Sequence, residues 1–115
     1  MANPNLRTFL AEAEAAGEVV RIKKHLDPKF QVSAVLAKLE AEEKYPACLF
    51  KDIGSGAYPV VSNLFASRKR LALSLGCTDA ELNAVYRERE DKRIEPVMVE
   101  SAPVQEIVLQ GEDVD

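Results

Sequence analysis

The stretch from Tyr58 to Gly76 constrains the fold more than any other part of the sequence. Its first four residues, 58–61, are rich in β-branched side chains, which is typical of a short buried strand. Residues 67–76 have the pattern of an amphipathic helix that ends at a glycine. The apolar positions that should share one helix face are Leu71, Ala72 and Leu75. A strand that leads into a helix needs a sheet for the helix to pack on, so we predict an α/β fold.

The junction between this strand and this helix, residues 62–67, is polar and is called the elbow below. Ser67 is a good N-cap because its hydroxyl can accept a hydrogen bond from one of the first free amides. A strand that enters a helix through a polar elbow often holds an anion, which makes Asn63 and Ser67 candidates for a binding site. The alternative is that both residues satisfy backbone groups and nothing more.

Three other segments have helical periodicity. The first is predicted to start at Asn3 and Pro4, a cap followed by a proline, and to end at Gly17. Its apolar positions are Leu6, Phe9, Leu10 and Ala13.

The second helical segment repeats the cap-then-proline start at Asp27 and Pro28. Its apolar positions are Val32, Val35, Leu36 and Leu39. The third begins at the capping box of residues 78–81, and its apolar positions are Leu82, Val85 and Tyr86.

Short apolar runs predict the strands. Residues 19–22 form one, and residues 47–53 form another that we expect to be central in the sheet. The glycine-rich loop 54–56 lacks the residues of a phosphate-binding loop and joins strand to strand, so we interpret it as a hairpin connection. After Pro96 the helical period disappears, and residues 97–99 and 104–109 are predicted to be extended. The sheet is therefore mixed and small, with about three to five strands packed with about four helices.

Composition excludes several classes of protein. With 115 residues, 47% hydrophobic and 30% charged, the chain can form one modest core. A net charge of −4, with lysine and arginine scattered among acids, argues against a nucleic-acid partner. No apolar run approaches the roughly 20 residues that cross a bilayer, and residues 1–10 do not resemble a signal peptide. We expect a protein without a transmembrane segment, located in the cytoplasm.

Individual reactive residues do not form a catalytic pattern in the sequence. Cys48 and Cys77 are far apart, without a CxxC pair, and are expected to be free thiols. His25 is the only histidine and has no patterned acidic or cysteine partner, so we interpret it as a surface residue. Glu12 and Glu14 point in different directions on a helix and are interpreted as solvated. From residue chemistry alone, we predict no catalytic, cofactor-binding or metal site in this chain.

Several segments, read together, resemble the N-terminal region of the UbiD-family decarboxylases, which use prenylated FMN. They occur in family order and span nearly the whole chain. These segments are 6–10 (LRTFL), 17–22 (GEVVRI), 26–28 (LDP), 49–53 (LFKDI), 59–68 (PVVSNLFASR), 75–76 (LG) and 102–109 (APVQEIVL). Each is weak alone, but the ordered set is fairly specific. Val104 departs from the pattern, because many members carry cysteine after the proline.

The resemblance implies a fold, a reaction and a set of partners for a longer protein. Residues 1–100 would be the N-terminal α/β domain, and residues 101–115 would begin the connection into a split-barrel flavin-binding domain that is absent here. The implied enzyme is a carboxy-lyase that reversibly decarboxylates aromatic, heteroaromatic or α,β-unsaturated acids. Its prenylated FMN, divalent metal (Mn or Mg), potassium and glutamate–arginine–glutamate catalytic set would all lie in the absent part.

This chain alone would then be inactive, with a structural role beside the flavin-binding domain of the same polypeptide. The full-length enzyme is expected to be a homo-oligomer. The alternative is a stand-alone interaction module or an accessory subunit of a decarboxylase complex. The length of the natural reading frame would distinguish the two.

Overall fold

The computed structural model describes residues 5–114 and has a mixed α/β architecture in which helices cover a three-stranded sheet. In this part of the chain the regular elements are α1 (Leu6–Ala15), β1 (Val19–Ile22), α2 (Gln31–Ala41), β2 (Ala47–Phe50), β3 (Val60–Ser62), α3 (Arg68–Ser74) and α4 (Leu82–Glu90), with 3-10 turns at Pro103–Gln105 and Gly111–Asp113. The predicted fold class is confirmed.

The sheet has the order β1-β2-β3, so β2 is central as the apolar run predicted. β1 is parallel to β2, with Val19 opposite Ala47, and β2 is antiparallel to β3, with Leu49 opposite Val61. Helix α2 connects the two parallel strands, and the loop that contains residues 54–56 connects the two antiparallel ones. The interpretation of that loop as a strand-to-strand connection is therefore confirmed, although nine residues separate β2 from β3.

The main core lies between the sheet and α2. Cys48 and Phe50 on β2 are fully buried and form a cluster with Leu26. The predicted stripe of α2 packs against this cluster through Val32, Val35, Leu36 and Leu39. Side chains alternate along a strand, so Ala47 and Leu49 point to the opposite face. On that side α1 contacts β1 and α3, and the rings of Phe9 and Phe65 pack with centroids 5.6 Å apart.

The starts of α1 and α2 differ in how the chain enters the helix. Helix α1 is capped by Asn5, whose side chain accepts from the Thr8 amide at 2.9 Å. The predicted cap at Asn3 and Pro4 lies outside the described residues. Helix α2 starts at Gln31, three residues after Pro28, because residues 28–30 form a turn. Asp27 caps that turn instead, since its carboxylate accepts from the Lys29 amide at 2.7 Å.

Two predictions about the ends of the fold need correction. β3 is an edge strand rather than a buried one, because it pairs only with β2 and its Val60 is 39% exposed. Tyr58, the first residue of the predicted strand, lies outside β3 and is 81% exposed. Beyond α4, residues 91–114 contain no strand, and the predicted extended run 104–109 begins in a 3-10 turn instead. A strand needs a partner for its backbone groups, and in the described part of this chain that run has none.

Candidate functional site

The elbow places polar groups at the point where β3 enters α3. Ser67 caps α3 as predicted, and its hydroxyl accepts from the Arg70 amide at 3.2 Å. Asn63 adopts the left-handed region at φ 59, which asparagine tolerates better than most residues. The Asn63 carbonyl accepts a hydrogen bond from Arg70 of α3. Gly76 ends the helix region at φ 66, also as predicted.

Arg70 is the central side chain of the elbow and is only 1% exposed. Its guanidinium donates to the carbonyls of Leu64 at 2.8 Å and Asn63 at 3.0 Å. It also donates to the carbonyl of Tyr45, just before β2, and to the carboxylate of Glu18, just before β1, the latter at 3.0 Å. Four of the five N–H groups of a guanidinium are thus engaged. Arg70 therefore joins the elbow to the starts of two strands.

Glu18 neutralises this buried charge. Its carboxylate accepts from Lys69 at 2.7 Å and from Arg70 at 3.0 Å, and its side chain is 19% exposed. The hydrogen bond from Lys69, followed by its charge and the contact with Arg70, holds the pKa of Glu18 below its ordinary value, although partial burial opposes this shift. Glu18 is therefore ionised at neutral pH, and the Arg70 guanidinium has a charged partner as well as carbonyl partners.

This geometry favours a structural role for the elbow over anion binding. The Arg70 donors that could hold an anion are directed at backbone carbonyls and Glu18. Within residues 5–114, every buried side-chain nitrogen or oxygen atom has a hydrogen-bond partner. On the predicted apolar face of α3, Ala72 is buried and Leu71 is 37% exposed.

Sequence reasoning missed Arg70. It lies between Lys69 and the predicted apolar positions of α3, and nothing local distinguishes it from Arg68, which is exposed and pairs with Asp79 at 2.9 Å. The only signal was Glu18, an acid next to a predicted strand, and its partner is 52 residues away. A pairing at that separation depends on the tertiary fold.

His25 is exposed, as interpreted from the sequence, but it does have an acidic partner. Its Nδ1 lies 2.9 Å from Asp52 Oδ1, with the two side chains 61% and 46% exposed. The isolated parallel bridge between Leu26 and Ile53 brings the two residues together. Histidine with a carboxylate can act as a base, but at this exposure the pair is solvated, and no buried nucleophile contacts it among the described residues.

The cysteines are both free, as predicted. Cys48 is fully buried in the core cluster, and burial raises the pKa of its thiol. Cys77 is half-buried, and its Sγ lies 3.5 Å from the carbonyl of Ala72. The described residues contain no group of three or more histidine, cysteine, aspartate or glutamate side chains that could hold a metal ion.

The surface of the described part of the chain has several grooves. One of about 540 Å³ lies between α3 and α4, with Leu71, Leu75, Leu82 and Tyr86 among its lining residues. One of about 630 Å³ lies between α1 and β3, and one of about 580 Å³ lies between His25 and α2. The lining is mostly apolar and combines no base with a nucleophile.

Among the described residues, no helix has both the length and the apolar character needed to cross a membrane.

Comparison with family models identifies one match, over residues 10–90. The matching family is described as the 3-octaprenyl-4-hydroxybenzoate carboxy-lyase N-terminal domain. The matched region starts inside α1 and ends at the last residue of α4, so it contains all three strands. Arg70, Glu18 and the elbow all lie inside it.

Two solved structures are similar in fold and sequence, and both are of the vanillic acid decarboxylase of Sedimentibacter hydroxybenzoicus in open form, one of them with truncated ShVdcD. Each is 26% identical over 80% of this chain, with TM-scores of 0.64 and 0.65. The match covers only 20% of the decarboxylase chain in each case, so this chain spans about a fifth of the length of those chains.

Proposed function

Because this chain belongs to the family of 3-octaprenyl-4-hydroxybenzoate carboxy-lyase N-terminal domains, we propose that it is the structural N-terminal domain of a longer carboxy-lyase. The longer enzyme would reversibly decarboxylate aromatic, heteroaromatic or α,β-unsaturated acids with prenylated FMN. This domain would pack beside the flavin-binding part of the same polypeptide and would be inactive alone.

One observation carries the proposal. The family match spans nearly all the described regular structure of the chain, and the buried side-chain nitrogen and oxygen atoms of the described residues all have hydrogen-bond partners within the chain. Arg70 shows this most clearly, because its guanidinium links the elbow to the starts of β1 and β2. This use of the buried charge supports a scaffold role for the domain.

The elbow, the anion-site candidate of the sequence, does not fit the phosphate of prenylated FMN. A flavin phosphate needs free backbone amides or cations, but Arg70 is engaged with carbonyls and Ser67 already accepts from the α3 amide. Of the two arginines that line the α3–α4 groove, Arg68 and Arg87, Arg68 is paired with Asp79. We therefore derive no catalytic step from this chain, and any electron sink for decarboxylation would be held elsewhere in the longer protein.

Two measurements test the proposal. The 115-residue chain is purified, mixed with prenylated FMN and filtered through a membrane that retains the protein, and its decarboxylation of aromatic acids is followed as released carbon dioxide. We expect neither retention of the flavin nor release of carbon dioxide above that with heat-denatured chain. The polypeptide encoded by the uninterrupted natural reading frame should do both.

Two results would contradict the proposal. Tight retention of prenylated FMN by the 115-residue chain would place a flavin site within it. A reading frame that ends directly after Asp115 would exclude a longer enzyme and would favour the accessory-subunit alternative.

A further inference from the structure

The residues that follow α4 carry apolar side chains that nothing in the described structure covers. In the segment 104–109, Val104, Ile107, Val108 and Leu109 are 86%, 76%, 63% and 59% exposed. We call residues 104–109 the C-terminal apolar segment. Soluble domains expose single apolar residues routinely, but a cluster of this kind usually marks an interaction surface.

The sequence of the segment is suited to one kind of contact. Ile107, Val108 and Leu109 are consecutive, so an extended backbone would point apolar side chains to both faces. Strands with that pattern are normally buried on both faces inside a larger sheet. Valine and isoleucine also favour the extended conformation. The segment nevertheless belongs to no strand here, and its first two residues lie in the 3-10 turn Pro103–Gln105.

The sheet of this chain is a poor partner for the segment. Its two edge strands are short, with four residues in β1 (Val19–Ile22) and three in β3 (Val60–Ser62), and Pro59 just before β3 has no amide to donate. A six-residue strand would therefore be paired along at most four of its residues. A sheet edge that paired with the whole segment would have to come from elsewhere.

The comparisons indicate where that edge would come from. The family match ends at residue 90, before the segment, and the solved decarboxylase chains are about five times as long as the part that this chain covers. We propose that the C-terminal apolar segment adds as a strand to an unpaired, apolar sheet edge in the polypeptide that follows this domain. This inference rests on the proposed function, and it identifies the segment through which this domain joins the rest of the enzyme.

Hydrogen exchange measured by mass spectrometry tests this pairing. Amides of residues 107–109 are compared between the 115-residue chain and the polypeptide of the uninterrupted natural reading frame. A strand hydrogen-bonded inside a sheet exchanges only when the sheet opens, so we expect exchange slower by about 100-fold or more in the longer polypeptide. Equal, fast exchange in both would overturn the inference, as would a reading frame that ends at Asp115.

A matched pair of isoleucine substitutions separates this contact from general surface effects. Ile107 and Ile94 are 76% and 94% exposed in this chain, so neither Ile107→Lys nor Ile94→Lys should change its urea midpoint. In the longer polypeptide, Ile107→Lys should increase its cleavage by a dilute protease several-fold, whereas Ile94→Lys should not. Equal cleavage of the two variants would overturn the inference.

Two further outcomes separate this inference from the proposed function. A longer polypeptide that decarboxylates an aromatic acid while residues 107–109 exchange rapidly would overturn the strand pairing alone. Slow exchange in a longer polypeptide that neither binds prenylated FMN nor releases carbon dioxide would support the pairing and overturn the function. Protection that appears in the 115-residue chain as its concentration rises would identify a second copy as the partner, and would also overturn the inference.

Discussion

Replacing Arg70 with methionine removes the contact that joins the elbow to the two parallel strands. Methionine keeps much of the buried volume but offers no donor, so the carbonyls of Tyr45, Asn63 and Leu64 lose their guanidinium partner. Glu18 keeps Lys69 and remains partly hydrated at 19% exposure. The loss should therefore resemble the breaking of a buried pair, about 3–5 kcal/mol, and lie near the lower end of that range.

The measurement is urea denaturation followed by far-ultraviolet circular dichroism at pH 7. For a small domain with a urea dependence of about 1.5 kcal/mol per molar, a loss of about 3 kcal/mol lowers the midpoint by about 2 M. Lys69→Met is the matched control, because Lys69 contacts the same carboxylate but is 63% exposed. A solvent-exposed pair contributes about 0–1 kcal/mol, so the control should move the midpoint by well under 1 M.

Arg70→Lys provides a third point. An ammonium keeps the charge for Glu18, but it has only three N–H groups and cannot match the fork that reaches four oxygens. Its midpoint should lie between those of the parent and Arg70→Met. If Arg70→Met and Lys69→Met lower the midpoint equally, Arg70 does not hold the elbow and the argument is wrong.

Four other predictions follow from single groups. The pKa of Glu18 is lowered in the fold from its ordinary value of 4.5, so the contribution of Glu18 to stability is complete above pH 4.5 and is lost as the pH falls below it. Glu18→Gln should remove this part of the acid dependence in urea titrations between pH 7 and 3. Ser67→Ala should lower the free energy of unfolding by about 1 kcal/mol through loss of the α3 cap, and the same urea assay measures it. Phe50→Ala should cost about 3–5 kcal/mol because Phe50 is fully buried in the main core, and a loss under 1 kcal/mol would contradict that packing. Thiol titration of the native chain should modify Cys77 first, with Cys48 reacting only on unfolding, because Cys48 is buried and its pKa is raised.

Much of the fold was predictable because its signals are local or periodic. The cap at Ser67 and the stop at Gly76 are formed within a single turn, and the α2 stripe follows from helical spacing alone. The central position of β2 followed from its apolar composition. Such features depend on residues a few positions apart, so one sequence is enough to read them.

The errors in the fold share a different cause. The start of α2 was misplaced because cap-then-proline patterns also fit turns, and Asp27 does cap a turn. β3 has the composition of a buried strand but lies at the sheet edge, since composition does not determine the number of neighbours. Residues 104–109 have strand composition without a strand, because a strand also needs a partner.

The sequence by itself determined the helical stripes, the caps, the strand-to-helix elbow and the resemblance that led to the family. Only the tertiary structure decided what the elbow is built around. Arg70 and Glu18 are 52 residues apart, and their pairing exists only because β1, β2 and α3 meet at one end of the sheet. The charge of Arg70 can be buried there because the fold brings one carboxylate and three carbonyls to it. No local sequence pattern predicts that arrangement.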